Sequence, residues 1–164
     1  MTNYENIAFN KVTIKGSCHL NQDGIKIAKG IGCKITNYRT DFLGDDNFSI
    51  CANDALFPDI VPSGQKLFDP YAVYGDTIDT VVDGFEFNSC VIGFRLLGRD
   101  FAVNNVTVKN GYINRIIGLV DDPTWGRTWI SLDDYRQGGD DGVYAIDGTQ
   151  QGHFNNIVFQ NIKI

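Results

Sequence analysis

The sequence has little of what builds membrane, metal or cofactor sites. No apolar run approaches the roughly 20 residues of a membrane span, and no signal peptide is visible at the N-terminus. The 4 cysteines form no Cys-x-x-Cys pair, which disfavours a zinc site. Neither a Gly-x-Ser-x-Gly elbow nor a phosphate-binding glycine loop is present. We therefore expect no metal, no cofactor and no membrane partner.

Positive charge is scarce as well. The chain of 164 residues carries 14 Lys and Arg against 20 Asp and Glu, a net charge of −6, which disfavours nucleic acid as a partner. A hydrophobic content of 43% is enough for a core, so one domain is expected across residues 1–164, either whole or as a fragment of a longer solenoid. Neutral ligands such as sugars stay compatible with this composition.

The cysteines are Cys18, Cys33, Cys51 and Cys90. Their spacings of 15 and 18 residues at the first three positions allow thiols on neighbouring coils. Buried free thiols or a thiol stack are favoured over a disulfide, and a disulfide over a metal site.

Segments of nine residues with strand-like alternation recur along the chain. Asn6–Ile14, Asn105–Ile113 and Asn156–Ile164 each begin with asparagine, carry apolar residues at the second and fourth positions and end with isoleucine. Asparagine tolerates the left-handed bend of a coil corner, and its side chain can stack on that of the next coil. The pattern predicts an all-β protein, a right-handed parallel β-helix of about seven coils. A β-sandwich is the alternative, because short alternating strands suit it equally.

Two segments interrupt this period, at about 53–80 and 121–137. The first holds 3 of the 4 prolines, and the second holds both tryptophans. We expect both to be loops inserted into the solenoid, where such insertions commonly form the walls of a binding groove.

Two acidic motifs stand about one coil apart. Asn21-Gln-Asp-Gly contains Asp23, and Gly44-Asp-Asp contains Asp45 and Asp46, so that Asp46 follows Asp23 by 23 positions. Residues one coil apart lie on neighbouring strands, about 4.8 Å from each other. The spacing therefore predicts that the carboxylates of Asp23, Asp45 and Asp46 meet on one face.

A carboxylate cluster of this kind suits the cleavage of glycosidic bonds. An inverting glycosidase needs a protonated acid at the leaving oxygen and a carboxylate that activates water, with the two carboxyls roughly 6.5–9.5 Å apart. Crowded negative charges raise the proton affinity of at least one member, which keeps an acid protonated near neutral pH.

The two motifs resemble those of the pectin-lyase-like β-helix glycoside hydrolases of families 28 and 49, the polygalacturonases and dextranase-like enzymes. The resemblance covers about 30 residues. It implies an inverting polysaccharide hydrolase in which Asp45 is the general acid while Asp23 and Asp46 hold and deprotonate the water. The Gly-His-Gly and Arg-x-Lys elements of polygalacturonases are absent, which favours a neutral glucan over a uronate. The resemblance also implies an extracellular, secreted or virion-associated protein, such as a relative of phage tailspike depolymerases.

The predicted substrate-binding residues are Asn21, His19, Arg95, Trp125 and Trp129. Asn21 and His19 adjoin the first acidic motif, and the aromatic rings can pack on the apolar faces of a polysaccharide or oligosaccharide. Core packing or anchoring of a loop explains the tryptophans as readily.

Two other interpretations of the function stay open at this point. Gly-Asp-Asp is also a common turn, and a second copy at Gly139, Asp140 and Asp141 lacks an Asn-x-Asp one coil earlier. The chain is then a carbohydrate-binding or host-recognition β-helix without catalysis. Alternatively it is a structural assembly module, a homo-oligomer or a chain whose coil ends are covered by another chain.

Overall fold

The computed structural model of the protein describes residues 1–19, 22–52, 75–88, 91–98, 101–115, 128–134 and 154–164. The nine strands within these ranges are β1 Thr2–Asn10, β2 Thr13–Lys15, β3 Ile25–Asp41, β4 Asp46–Cys51, β5 Thr77–Asn88, β6 Ile92–Gly98, β7 Val103–Ile113, β8 Thr128–Asp134 and β9 Phe154–Lys163. In this part of the chain no helix has the length and apolar character needed to cross a membrane.

The described strands form one sheet in which every pairing is parallel. Seven of them follow the order β8-β6-β4-β3-β5-β7-β9, and β1 and β2 both pair with β3. The all-β class and the parallel pairing are therefore confirmed. The β-sandwich alternative is wrong, because the strands of a sandwich pair antiparallel.

The long strands bend at residues whose backbone is in the left-handed region of φ. These residues are in register on neighbouring strands and form two columns across the sheet. All ten have φ between 50° and 77°. The first column contains Asn6, Gly32, Asp79, Asn105 and Asn156. The second contains Lys11, Asn37, Gly84, Asn110 and Asn161. Asparagine, aspartate and glycine adopt this conformation most readily, which explains why they fill nine of the ten positions.

Side-chain amides link the levels of these columns. Asn105 Nδ2 donates to Asp79 Oδ1 at 2.9 Å, and Asn156 Nδ2 donates to Asn105 Oδ1 at 3.1 Å. In the second column Asn161 Nδ2 donates to Asn110 Oδ1 at 3.2 Å. The predicted role of asparagine at bends, stacked on asparagine one level away, is confirmed at these positions.

The described strands stack five levels deep, because each column has five members. The predicted number of about seven coils stays a prediction, because several segments between these strands lie outside the described residues. The register shift is 26 positions between Thr2 and Ala28 and again between Thr77 and Val103. It rises to 51 between Val103 and Phe154, so one level can use far more residues than the expected 23.

The core shows that the sheet is strongly curled. Phe94 of β6 lies 4.8 Å from Phe85 and 4.9 Å from Phe87 of β5, measured between ring centroids, although β4 and β3 separate these strands in the sheet. Its ring is also 5.9 Å from that of Phe159 on β9. Strands that are distant in the order therefore share one core, which also contains Phe48 and Ile50.

Strands occupy part of each of the two segments predicted to be inserted loops. Residues 77–80 lie in β5 and residues 128–134 form β8, which pairs with β6 from Ile92 and Thr128 onward. The prolines and tryptophans in and near these strands made the alternation of apolar and polar residues difficult to recognise in the sequence. The remaining parts of both loops, residues 53–74, 121–127 and 135–137, lie outside the described residues.

Three of the four cysteines can be assigned. Cys18, Cys33 and Cys51 are buried and form no disulfide, in agreement with the prediction, and Cys90 lies outside the described residues. Burial raises the pKa of Cys33 to about 11, so this thiol is unreactive at neutral pH. Cys33 pairs in register with Ile7 and Thr80, so Cys51 is not its neighbour in the stack.

Candidate active site

The parallel pairing of β3 with β4 brings the two acidic motifs together. Ile25 pairs with Phe48, a shift of 23 positions, and the amide of Gly24 donates to the carbonyl oxygen of Asp46 at 2.8 Å. Asp23 precedes β3 by two residues, and Asp46 begins β4. The same shift therefore places Asp23 beside Asp46.

The three carboxylates meet in space. One oxygen from each of Asp23, Asp45 and Asp46 lies within 4.8 Å of the others. Their exposure differs, because Asp23 is exposed while Asp45 and Asp46 are only 8% and 5% accessible. The cluster thus has one carboxylate in contact with solvent and two held within the protein. The catalytic roles of these aspartates stay a prediction.

The glycines of both motifs are required by close backbone contacts. A Cβ atom at Gly44 would overlap the carbonyl oxygen of His19, and one at Gly24 would overlap the Asn47 carbonyl oxygen and the Tyr38 hydroxyl. A side chain at either position would push apart the segments that carry the aspartates. The glycine in each motif therefore has a packing reason that is separate from chemistry.

Asp46 is held by groups from two strands. The Ser49 hydroxyl donates to Asp46 Oδ2 within β4, and the Arg95 guanidinium of β6 lies 3.8 Å from the same oxygen. The side chains of Arg95 and Asp46 are 12% and 6% exposed. A buried carboxylate with these partners is stabilised in its ionised form.

Asp45 has a different environment. Its Oδ1 is buried and has no hydrogen-bond partner among the described residues. The pKa of Asp45 is raised to about 7, mostly by burial and then by the negative charges of Asp46 and Asp23, while Arg95 acts in the opposite direction. Asp45 therefore carries a proton over much of the range below neutral pH.

A buried hydrogen-bond network that the sequence did not indicate locks β3 to β4 next to the acids. The Tyr38 hydroxyl donates to the Asn47 carbonyl oxygen at 2.8 Å and accepts from the Ile25 amide at 3.1 Å. Asn47 Nδ2 donates to the Ile92 carbonyl oxygen at 2.7 Å, and the Thr40 hydroxyl donates to Asn47 Oδ1. Asn47, directly after the acidic pair, was the one available signal.

The remaining predicted site residues are only partly brought to the cluster. His19 is exposed, with its backbone against Gly44. Arg95 lies beside Asp46. Trp129 is on β8, two strands from β4, and is 45% exposed. The other predicted residues, Asn21, Trp125, Asp140 and Asp141, lie outside the described residues.

Within the described part of the chain, the same three aspartates are the group that has donors for a metal ion. Three carboxylate oxygens would suit a hard cation such as Ca²⁺. The proton on Asp45 and the positive charge of Arg95 both oppose a cation there. The expectations of no metal and no cofactor stay predictions.

Comparison with known proteins gave no match. No protein-family model fits the sequence, no curated protein is similar to it, and no solved structure matches its fold. Any function of this chain is therefore inferred from the chemistry of the site.

Proposed function

We propose that the chain is a polysaccharide hydrolase folded as a right-handed parallel β-helix. The β-helix is supported by the all-parallel pairing and by two columns of bends at matching positions of five levels. A solenoid of this kind repeats one strand-and-bend unit along an axis and buries a continuous core between levels.

The observation that carries the activity is the unequal protonation of three converging carboxylates. Asp45, with a pKa of about 7, donates its proton to the glycosidic oxygen as the bond to the leaving sugar breaks. Water attacks the anomeric carbon and loses a proton to Asp46 or Asp23, which hold it. A later exchange with solvent returns the proton to Asp45, which completes the cycle.

A neutral glucan fits this site better than a uronate. Three carboxylates converge, and the one cation placed against them by a described ion pair, Arg95, faces Asp46. A carboxylate on the substrate would add a fourth negative charge to a partly buried cluster, which is unfavourable. We also propose an extracellular, secreted or virion-associated location, which is what the resemblance to the polysaccharide-cleaving β-helix enzymes implies.

The test is the release of reducing sugar from a panel of neutral and acidic polysaccharides. We expect activity on a neutral glucan, and a loss of about 100-fold or more in kcat for Asp45→Asn with substrate binding retained. Asp79→Asn is the matched control, because Asp79 is exposed and its column already contains asparagine at three levels.

Equal activity of Asp45→Asn and the wild-type protein would exclude Asp45 as the acid. Binding of a polysaccharide without any release of sugar would favour the alternative of a non-catalytic recognition module. Sedimentation as a defined oligomer, with neither binding nor hydrolysis, would favour the structural module.

The closeness of the carboxylates favours a second mechanism on the same substrates. Oxygens within 4.8 Å of one another are nearer than the 6.5–9.5 Å of inverting pairs. They approach the spacing of about 5–5.5 Å at which one carboxylate acts as a nucleophile and the configuration is retained. Asp23 or Asp46 would then form the glycosyl-enzyme intermediate.

Proton NMR of the first sugar released separates the two mechanisms. The proposed inverting mechanism gives the anomer opposite to that of the substrate, before mutarotation equilibrates it. Release of the same anomer would instead assign the retaining mechanism, and trapping of a glycosylated aspartate would identify the nucleophile.

A further inference from the structure

Arg95 forms a described ion pair with the cluster, and the register of the sheet fixes its position. It pairs with Ser49 of β4, and Ser49 pairs on its other side with Lys26 of β3. From this row the Arg95 guanidinium reaches Asp46 Oδ2 at 3.8 Å, the oxygen that also accepts the Ser49 hydrogen bond. One oxygen of Asp46 therefore receives both a hydroxyl donor and a positive charge.

We propose that Arg95 is a positioning residue that holds Asp46 ionised, so that the proton of the carboxylate cluster resides on Asp45. This inference rests on the proposed function for its catalytic meaning. It divides the work of the three aspartates, with Asp45 as the acid, Asp46 as the fixed anion and Asp23 as the carboxylate open to water.

Asp45 and Asp46 compete for a single proton. Two adjacent buried carboxylates cannot both be ionised without a cost, so one of them keeps a proton. Asp46 Oδ2 has the ion pair with Arg95 and the hydrogen bond from Ser49, and Asp45 shares neither of these two contacts. The proton is therefore least costly on Asp45.

The charged groups around Asp45 agree with this assignment. Asp46 and Asp23 raise its pKa, and Arg95 lowers it. Because Arg95 pairs directly with Asp46, its larger effect falls on that neighbour. Lys26 of β3 pairs in register with Ser49 on the side opposite to Arg95.

The test replaces Arg95 by methionine, which keeps the length of the side chain and removes the charge. Carbon-13 NMR of labelled aspartate carboxyls follows each group directly. We expect the Asp46 carboxyl to titrate about one pH unit higher or more in Arg95→Met, because an opposite charge at this distance has an effect of that size. The acidic limb of the pH–rate profile is expected to move to higher pH in Arg95→Met. In Arg95→Lys, which keeps the charge, most of this shift is expected to disappear.

Arg39→Met is the matched control, because Arg39 is exposed and pairs with Asp41 and Glu86 away from the cluster. We expect both cluster carboxyls to titrate there as in the wild-type protein. If Arg95→Met does not fold, Ser49→Ala removes the other partner of the same oxygen and is expected to shift the Asp46 titration in the same direction.

Unchanged Asp46 titration in both Arg95→Met and Ser49→Ala would overturn the inference. A shift in titration together with a wild-type protein that releases no sugar would support the role of Arg95 and reject the hydrolase. The two proposals therefore fail separately.

Discussion

Asp45→Asn is expected to become more stable relative to the wild-type protein as the pH rises, by about 4 kcal/mol between pH 4 and pH 8. The pKa of Asp45 is raised from 3.8 to about 7 in the folded protein. The folded state therefore binds this proton more tightly than the unfolded chain does. The resulting stabilisation is fully present below about pH 4 and is lost as the pH rises through about 7.

Asparagine has the same shape as the protonated acid and does not titrate. Urea unfolding at several pH values measures the free energy of unfolding of both proteins, and the difference between them removes the titration of unrelated groups. Asp79→Asn, which removes a charge from an exposed position, is expected to show a difference that does not vary with pH in this way. If the difference in free energy of unfolding between Asp45→Asn and the wild-type protein did not change with pH, Asp45 would be ionised in the folded protein at pH 5.

This result links stability to the proposed activity. Under that proposal, the carboxyl that donates the proton is also the one that weakens the fold at neutral pH. A buried carboxyl with so strongly raised a pKa often marks a functional site, because a catalytic acid needs such an environment. The same variant is thus expected to gain stability and lose hydrolysis.

The sequence was sufficient to predict the part of the site that depends on register. Asp23 and Asp46 are 23 positions apart, and the local pairing of Ile25 with Phe48 has the same shift. No insertion separates these two strands, so spacing along the chain equals spacing in the stack. The asparagine bends were predictable for the same reason, because a left-handed residue restricts the choice of side chain locally.

The sequence was insufficient where contacts join distant segments. Arg95 was predicted to bind substrate, and its ion pair with Asp46 follows from the pairing of Asp46 with Ile92, a shift of 46 positions across residues 53–74. The burial of Asp45 likewise depends on the packing of several segments. No local pattern encodes a desolvated carboxyl, so its raised pKa could not be read from the residues.

Phe94→Ala is expected to reduce the free energy of unfolding by about 3–5 kcal/mol, the usual cost of truncating a buried phenylalanine. Phe94 is fully buried, and its ring contacts Phe48 on β4, Phe85 and Phe87 on β5 and Phe159 on β9. These rings cannot close the gap without moving three strands of a curled sheet, so the cavity persists and its full cost is measured.

Urea denaturation of Phe94→Ala and of Tyr112→Ala measures this effect. Tyr112 is 41% exposed on β7, so its truncation is expected to cost less than about 1 kcal/mol. Phe94→Leu, which retains most of the volume, should fall between them. Equally small losses of unfolding free energy in Phe94→Ala and Tyr112→Ala would contradict the conclusion that these strands share one core. The curl of the sheet depends on that core, because Phe94 joins strands that the hydrogen-bonding order keeps apart.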